Sequence, residues 1–369
     1  VSLKGSVNIG DNPVIGNPRM ATVSGYIHPA CDEGEKVDLI QDPVVVVTGG
    51  AGYIGSHMVK MLVSTGHRVV VIDDLSSGFE WAVQDVDFIR GSIGDRDLLR
   101  RCFITFDVAA VIHFAGMISV SESSRRPDLY YESNVVNSLV LFDEMLKNRV
   151  DKLIFSSTAA IFGNPSKSPI DESCEKNPIN PYGRSKFMVE EVLADYDLAF
   201  AFRSASLRYF NAAGADPAGA LGECHEPETH LIPLVLQVAS GRRRSIGIFG
   251  DSYPTHDGTC IRDYIHVEDL CSAHMLALKH LLSGGQSVSY NLGNGNGFSV
   301  REVIAAAERV SSGRIRFEIL PPRFGDSPIL VADSSAIQRE LGWHPKYPEL
   351  DEIIKHAWHW EQHYHCQGF

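Results

Sequence analysis

Residues 44–57 read VVVVTGGAGYIGSH. Four consecutive valines make a short β-branched run, and a glycine cluster follows at once. Apolar residues then recur at 54, 58, 61 and 62, one face of a helix that Gly66 closes. Val69-Val70-Val71-Ile72 begins a second buried strand. Strand, glycine turn, helix and strand make one βαβ unit with parallel strands. Further apolar runs at Val108–Ala115, Lys152–Ser157 and Ser204–Phe210, separated by helix-length stretches, extend it into a doubly wound parallel α/β sheet. After about residue 215 the alternation becomes irregular, as in a smaller lobe appended to the sheet.

The glycines satisfy two registers, GxxGxxG at 49, 52 and 55 and GxGxxG at 50, 52 and 55. Their place after a strand and before a helix is what a pyrophosphate requires: backbone N–H groups approach it closely and the helix N-terminus supplies partial positive charge. A tight strand-to-helix turn without a ligand is the competing account. Eighteen residues beyond Gly55, Asp73 ends the second strand and Asp74 follows. A carboxylate there accepts from ribose hydroxyls and repels a 2′-phosphate, so NAD is expected rather than NADP.

Tyr182 and Lys186 stand four apart at the start of an apolar-periodic helix, on one face. A cation near a phenol lowers its pKa from about 10 toward neutrality, making a usable base. Some 25 residues upstream, Phe155-Ser156-Ser157-Thr158 ends an apolar run at the sheet edge where open α/β folds bind ligands, and it offers a hydroxyl to a reacting alcohol. A surface tyrosine beside a surface lysine is the alternative reading of the pair alone.

The chain has 369 residues, 44% of them hydrophobic and 21% charged, within the ordinary globular range. Thirty-three basic against forty-six acidic residues give a net charge of −13, which disfavours nucleic acid and anionic membranes as partners. No apolar run approaches the roughly 18 residues of a membrane span, and the first residues lack a basic-then-apolar leader layout. A cytoplasmic protein is therefore expected. Seven scattered cysteines, none spaced as CxxC, encode neither a disulfide framework nor a zinc knuckle. Residues 1–42 show no sustained period and are expected to lie outside the core.

Seven ordered blocks, TGGAGYIGSH (48–57), HFAG (113–116), SSTAA (156–160), NPYGRSK (180–186), RYFNAAGADP (208–217), DGTCIRDYIHVEDL (257–270) and PPRFGD (321–326), resemble the extended short-chain dehydrogenases. Within that family they are similar to the branch that epimerises nucleotide sugars at C4. The resemblance runs from about Val44 to Glu361. It implies a Rossmann domain that binds NAD over 43–215 and a smaller C-terminal α/β lobe for the UDP-sugar over 216–369, with the chain crossing between them. The implied reaction is reversible C4 epimerisation of a UDP-hexose, UDP-glucose and UDP-galactose, through a 4-keto sugar. Tyr182 would take the 4-hydroxyl proton, Lys186 would lower its pKa and hold the nicotinamide ribose, and Thr158 would orient the proton.

By the same resemblance, Gly49, Gly52, Tyr53, Ile54 and Gly55 cradle the cofactor phosphates, while Asp73, Asp74, Ser92 and Ile93 face its adenosine side. Phe114, Ala115, Gly116, Asn134, Ser156 and Tyr209, with Tyr182 and Lys186, complete the implied cofactor-binding set. The UDP-sugar would meet Thr158, Tyr182, Asn211, Leu231, Gly247, Phe249, Arg262, Arg323 and Asp326, the two arginines on its diphosphate, Phe249 on its uracil and Asp326 on its uridine ribose. Some departures stand out: Ser92 replaces a frequent aspartate, Phe162 a frequent tyrosine and Ile118 a lysine of some relatives. Leu330 falls where residue size sorts N-acetyl sugars. Ala159 and Ala160 replace the Asp-Glu pair of related dehydratases and speak against dehydration. A 4-epimerase of UDP-pentoses or UDP-N-acetylhexosamines, and a non-catalytic NAD-binding regulator, are the alternatives. The family implies a homodimer through a helix bundle. No metal site is expected: His356, His359, His363, His365 and Cys366 read as a polar tail helix, and Arg242-Arg243-Arg244 as a solvated helix end.

Overall fold

In the computed structural model, residues 43–323 and 326–366 are described. The expected extension, residues 1–42, lies outside the described residues, as do Phe324 and Gly325 of the PPRFGD block and the side chains of His365 and Cys366.

The first βαβ unit consists of β1 (Val44–Thr48), α1 (Tyr53–Ser64) and β2 (Arg68–Asp73). The two strands pair in parallel, Val45 opposite Val69 and Val47 opposite Val71. Then come β3 (Asp87–Arg90), α2 (Arg96–Thr105), β4 (Val108–His113), the short α3 (Val120–Arg125) and α4 (Pro127–Tyr131), α5 (Asn137–Lys147) and β5 (Lys152–Thr158). The long α6 (Pro181–Phe200) and β6 (Arg203–Tyr209) follow. Pro181 opens α6 and Asn180 caps it by accepting from the Gly183 N–H at 2.8 Å, which fixes where the Tyr182 turn begins.

Beyond β6 lie β7 (Asn211–Ala213), α7 (Leu231–Ala239), β8 (Ile246–Phe249), β9 (Ile261–His266), α8 (Val267–Leu282) and β10 (Val288–Leu292). β11 (Gly297–Ser299), α9 (Val300–Ser311), β12 (Phe317–Leu320), β13 (Ile329–Leu330), α10 (Ser335–Leu341) and α11 (Leu350–Cys366) are the last elements among the described residues. Among the described residues the largest sheet has seven parallel strands in the order β10-β6-β5-β4-β1-β2-β3. β3 and β10 are not legible as strands in the sequence. β3 has two apolar residues in four and lies half exposed at one edge, while β10, Val-Ser-Tyr-Asn-Leu, comes from far along the chain to pair with β6 at the other.

The valine run is buried on both faces. Val45 and Val47 join Met58, Leu62 and residues of α8 in one core, whereas Val44 and Val46 join Leu99, Phe142 and Leu193 in the other. Such two-sided burial is what makes a parallel strand read as a continuous apolar run. Each of these side chains contributes on the order of 1.5–3 kcal/mol by leaving water.

A third core gathers Val235, Leu236, Tyr264, Val303, Ile304, Ile353 and Ile354 from α7, β9, α9 and α11. The expectation of a polar tail helix is thereby corrected. α11 buries Leu350, Ile353, Ile354 and Trp360, and His356 bonds the buried His266 at 3.0 Å. Its histidines share the helix with an apolar stripe that the periodicity of Leu350, Ile353, Ile354 and Ala357 already carries. Arg242 likewise is no merely solvated charge, since it grips Glu361 of α11 through Nε and Nη2 at 2.9 and 3.1 Å.

Candidate active site

The glycine turn folds back on the sheet so tightly that two of its glycines are demanded by the protein itself. Gly49 has φ +71°, and a Cβ there would stand 2.5 Å from the Ala115 nitrogen; one on Gly55 would stand 2.1 Å from the Gly49 carbonyl oxygen. Gly52 is different. Its φ is −78°, ordinary for any residue, and a Cβ would approach nothing closer than 3.4 Å. Neither backbone nor packing within the protein requires glycine at position 52, which stands where the first N–H groups of α1 lack helical partners. Asp73 completes the turn: its carboxylate accepts from Ala51 N–H at 2.9 Å and Leu75 N–H at 2.8 Å, and the residue is only 8% exposed. Burial pushes its pKa up and those two N–H groups pull against the shift. Asp74 is exposed and accepts from Ser76 N–H. Ser92 and Ile93 follow the end of β3, which pairs with β2 at Asp73 opposite Arg90. The residues present fit a dinucleotide whose diphosphate meets Gly52 and the α1 terminus.

Tyr53 and Ile54 open α1, but the Tyr53 side chain is committed elsewhere. Its hydroxyl donates to Gly214 O at 2.8 Å, leaving backbone as its contribution to the cradle.

At the C-terminal ends of β4, β5 and β6 the structure brings together Gly116, Asn134, Ser156, Thr158, Tyr182, Lys186 and Tyr209. Lys186 Nζ donates to Ser156 O at 3.0 Å and lies 4.9 Å from the centre of the Phe155 ring. The Ser156 hydroxyl bonds Tyr209. Asn134 is buried and bonds Met117 N–H at 2.8 Å, Met117 O at 3.0 Å and Ser185 Oγ at 3.1 Å, so its amide fastens the turn beside Gly116 to α6. A Cβ on Gly116 would fall 2.9 Å from Asn134 Oδ1 and 3.6 Å from Lys186 Nζ. Phe114 and Ala115 anchor the same turn, both donating to Thr48 O.

One electrostatic expectation is corrected. Burial pushes the Tyr182 phenol up, and its hydrogen bond with Thr158 only partly opposes this. Burial and Thr158 account for that direction without Lys186, whose ammonium donates to the Ser156 carbonyl at 3.0 Å. Burial pulls Lys186 itself down to about 8.

A single residue, Phe210, separates Tyr209 from Asn211, which starts β7 and donates to Asp263 O at 2.8 Å. β7 pairs with β9, and β9 places Arg262 opposite Leu330 of β13. Arg262 donates to Ser327 O at 2.8 Å and approaches Asp326 at 3.4 Å, so these two sequence-predicted residues hold each other. Arg323 lies 3.7 Å from the centre of the Phe249 ring and covers the face read as a uracil platform. Gly247 and Phe249 belong to the separate β8–β12 sheet, and Leu231 begins α7. Leu330 packs on Ile161, Phe162 and Ile170, just past Thr158.

Sequence reading missed the buried pair between Glu190 of α6 and Arg208 of β6. The signal was there in Lys186 and Glu190 at four-residue spacing and in an arginine inside an apolar strand.

Residues 45–293 match the model of the NAD dependent epimerase/dehydratase family. The UDP-glucose 4-epimerase of Halalkalibacterium halodurans is 51% identical over 325 residues, 88% of this chain and 97% of that protein. A UDP-glucose 4-epimerase structure from Brucella ovis in complex with NAD is 45% identical, with a TM-score of 0.84 covering 86% of this chain and 98% of that one. One from Bifidobacterium longum in complex with NAD+ and UDP is 38% identical, with a TM-score of 0.83 covering 88% and 100%.

Proposed function

The chain belongs to the NAD dependent epimerase/dehydratase family, and we propose that it interconverts UDP-glucose and UDP-galactose by epimerisation at C4. The observation that carries this reading is the convergence of Thr158, Tyr182 and Lys186 beside the glycine cradle, with the Arg262 strand joined to the same sheet edge through Tyr209 and Asn211.

NAD, when bound, supplies the hydride acceptor and donor that makes a sugar alcohol carbon planar and then tetrahedral again. Gly52 and the α1 N-terminus hold its diphosphate and Asp73 its ribose. Tyr182 takes the proton of the sugar 4-hydroxyl and later returns it, and Thr158 orients both hydroxyls by hydrogen bonding. Lys186 keeps positive charge beside the ribose and the phenol. Arg262 and Arg323 neutralise the UDP diphosphate, which a protein of net charge −13 must do locally. To receive uracil, Phe249 exchanges its Arg323 neighbour for the base, and the released guanidinium turns to phosphate. Ala159 and Ala160, directly after Thr158, offer no acid or base for eliminating water, so the ketone is reduced again rather than dehydrated.

The protein is further proposed to act as a cytoplasmic homodimer. Val136 and Met188, 52% and 43% exposed at the head of α5 and on α6, are apolar side chains available to a helical interface, and Cys102, Cys174, Cys260 and Cys271 are free thiols.

The test offers UDP-galactose, UDP-N-acetylgalactosamine and UDP-arabinose in parallel to the purified protein. Rapid formation of UDP-glucose supports the assignment. Conversion of only another sugar would move the substrate, and no conversion even with added NAD would favour a non-catalytic NAD-binding protein.

A further inference from the structure

Outside the active site, one loop gathers four side chains able to bind a metal. Glu223, His225, Glu228 and His230 precede α7, and a ligand atom of each lies within 4.8 Å of the others. His225 Nδ1 stands 3.3 Å from Glu223 Oε1 and 3.7 Å from Glu228 Oε2. His230 Nδ1 stands 3.9 Å from Glu228 Oε1 and in closer contact with Glu223 Oε1. Four ligands around a zinc-sized ion stand about 3.4 Å apart, since the bonds are about 2.0–2.1 Å and tetrahedral. The two separations from His225 Nδ1, to Glu223 Oε1 and Glu228 Oε2, sit near that edge length; the His230–Glu223 contact must open, and His230 must turn from Glu228 Oε1 toward the ion.

The surroundings are those of a ligand set. His225 Nδ1 is buried and reaches no acceptor in hydrogen-bonding geometry. The Glu223 and Glu228 side chains are only 5% and 7% exposed. Glu228 Oε1 accepts from the N–H groups of Thr229 and His230 at 2.7 and 2.8 Å, which turns Oε2 toward His225. Trp360 Nε1 donates to the Glu223 carbonyl at 3.0 Å and fixes the backbone on that side. Outer hydrogen bonds of this kind orient ligating carboxylates. Two buried carboxylates with ligand atoms within 4.8 Å of each other also call for two positive charges, which two protonated imidazoles would supply singly and one divalent cation between neutral imidazoles supplies at once.

We propose that Glu223, His225, Glu228 and His230 form a tetrahedral site for a divalent cation of borderline softness, zinc by its donor set. Four protein ligands leave no open position, so the ion pins the loop rather than doing chemistry. The loop joins the two halves of the active site: the His225 ring lies 6.5 Å from that of Tyr53 in an edge-on contact, and His230 leads directly into Leu231.

The experiment uses the full-length, NAD-loaded protein after dialysis against EDTA. Titration with zinc chloride is expected to give one bound equivalent per chain and a raised thermal midpoint, and cobalt chloride is expected to give the intense visible bands of tetrahedral Co2+. Both should vanish in His225→Ala and His230→Gln and persist in His359→Ala, which removes a ring tilted against His363 in α11. The cobalt spectrum of the unaltered protein decides the matter even if a variant fails to fold. Absence of stoichiometric zinc, or an octahedral cobalt spectrum, would overturn the site and leave an ion-pair cluster of protonated imidazoles. Zinc uptake unchanged in His225→Ala would do so equally.

Discussion

Arg208 holds the Glu190 carboxylate through Nε at 2.9 Å and Nη2 at 2.7 Å, with side chains only 5% and 7% exposed. Ser157 donates to the same carboxylate at 2.5 Å. One anion thus ties β5 next to Thr158, α6 one turn past Lys186 and β6 next to Tyr209. Removing one partner from a buried pair strands the other's charge, at a cost of about 3–5 kcal/mol. Glu190→Gln is therefore expected to lose about 3 kcal/mol in urea unfolding and to lower turnover with NAD still bound. A loss below about 1 kcal/mol would show that the pair does not hold these elements.

The glycine cradle separates folding from cofactor binding. Gly55→Ala places a Cβ 2.1 Å from the Gly49 carbonyl oxygen and is expected to yield insoluble or strongly destabilised protein. Gly52→Ala meets nothing closer than 3.4 Å. Its NAD-stripped form should unfold within about 0.5 kcal/mol of the unaltered protein, while its NAD affinity falls at least about tenfold. Unchanged NAD affinity in Gly52→Ala would remove the diphosphate from that position.

Lys186 gives a pH signature. Burial pulls its pKa to about 8, below the ordinary lysine value of about 10.4. Between those values the unfolded chain binds the extra proton, so stability should rise with pH from about 8 toward 10, opposite in sign to an ion-paired lysine. Catalysis should move the other way and fall as Lys186 loses its charge above about pH 8. Lys186→Met should abolish turnover and flatten the stability rise. A rise of equal slope in that variant would assign it to another group.

Tyr182→Phe removes the acid–base oxygen and leaves the ring against Tyr130, 6.5 Å away. Turnover should fall by at least about a hundredfold, with NAD content by absorbance unchanged. Near-normal turnover would mean that another group moves the proton.

The parallel sheet was legible because a run such as Val44–Val47 has few other uses, and because the glycine registers fix the turn and the helix behind it. The edge strands were not: β3 and β10 are short and mixed in polarity, and β10 pairs with β6 from more than 80 positions along the chain. At the site, spacing placed Tyr182 over Lys186 on one helix. It could not show that the Ser156 carbonyl takes the ammonium or that Arg323 covers Phe249, because both contacts join elements distant in sequence. The same limit hid Glu223, His225, Glu228 and His230, a visible ExHxxExH string whose meaning depends on how one loop turns. α11 shows the opposite error, where five His and Cys residues drew the eye from an apolar stripe.

The most direct test follows the hydrogen itself. UDP-glucose carrying deuterium at C4 is incubated with the purified protein in ordinary water, and the UDP-galactose formed is examined by mass spectrometry and NMR. Oxidation and reduction within one closed site predict UDP-galactose that keeps its deuterium at C4. Loss of the label to solvent, or no UDP-galactose at all, would contradict the account.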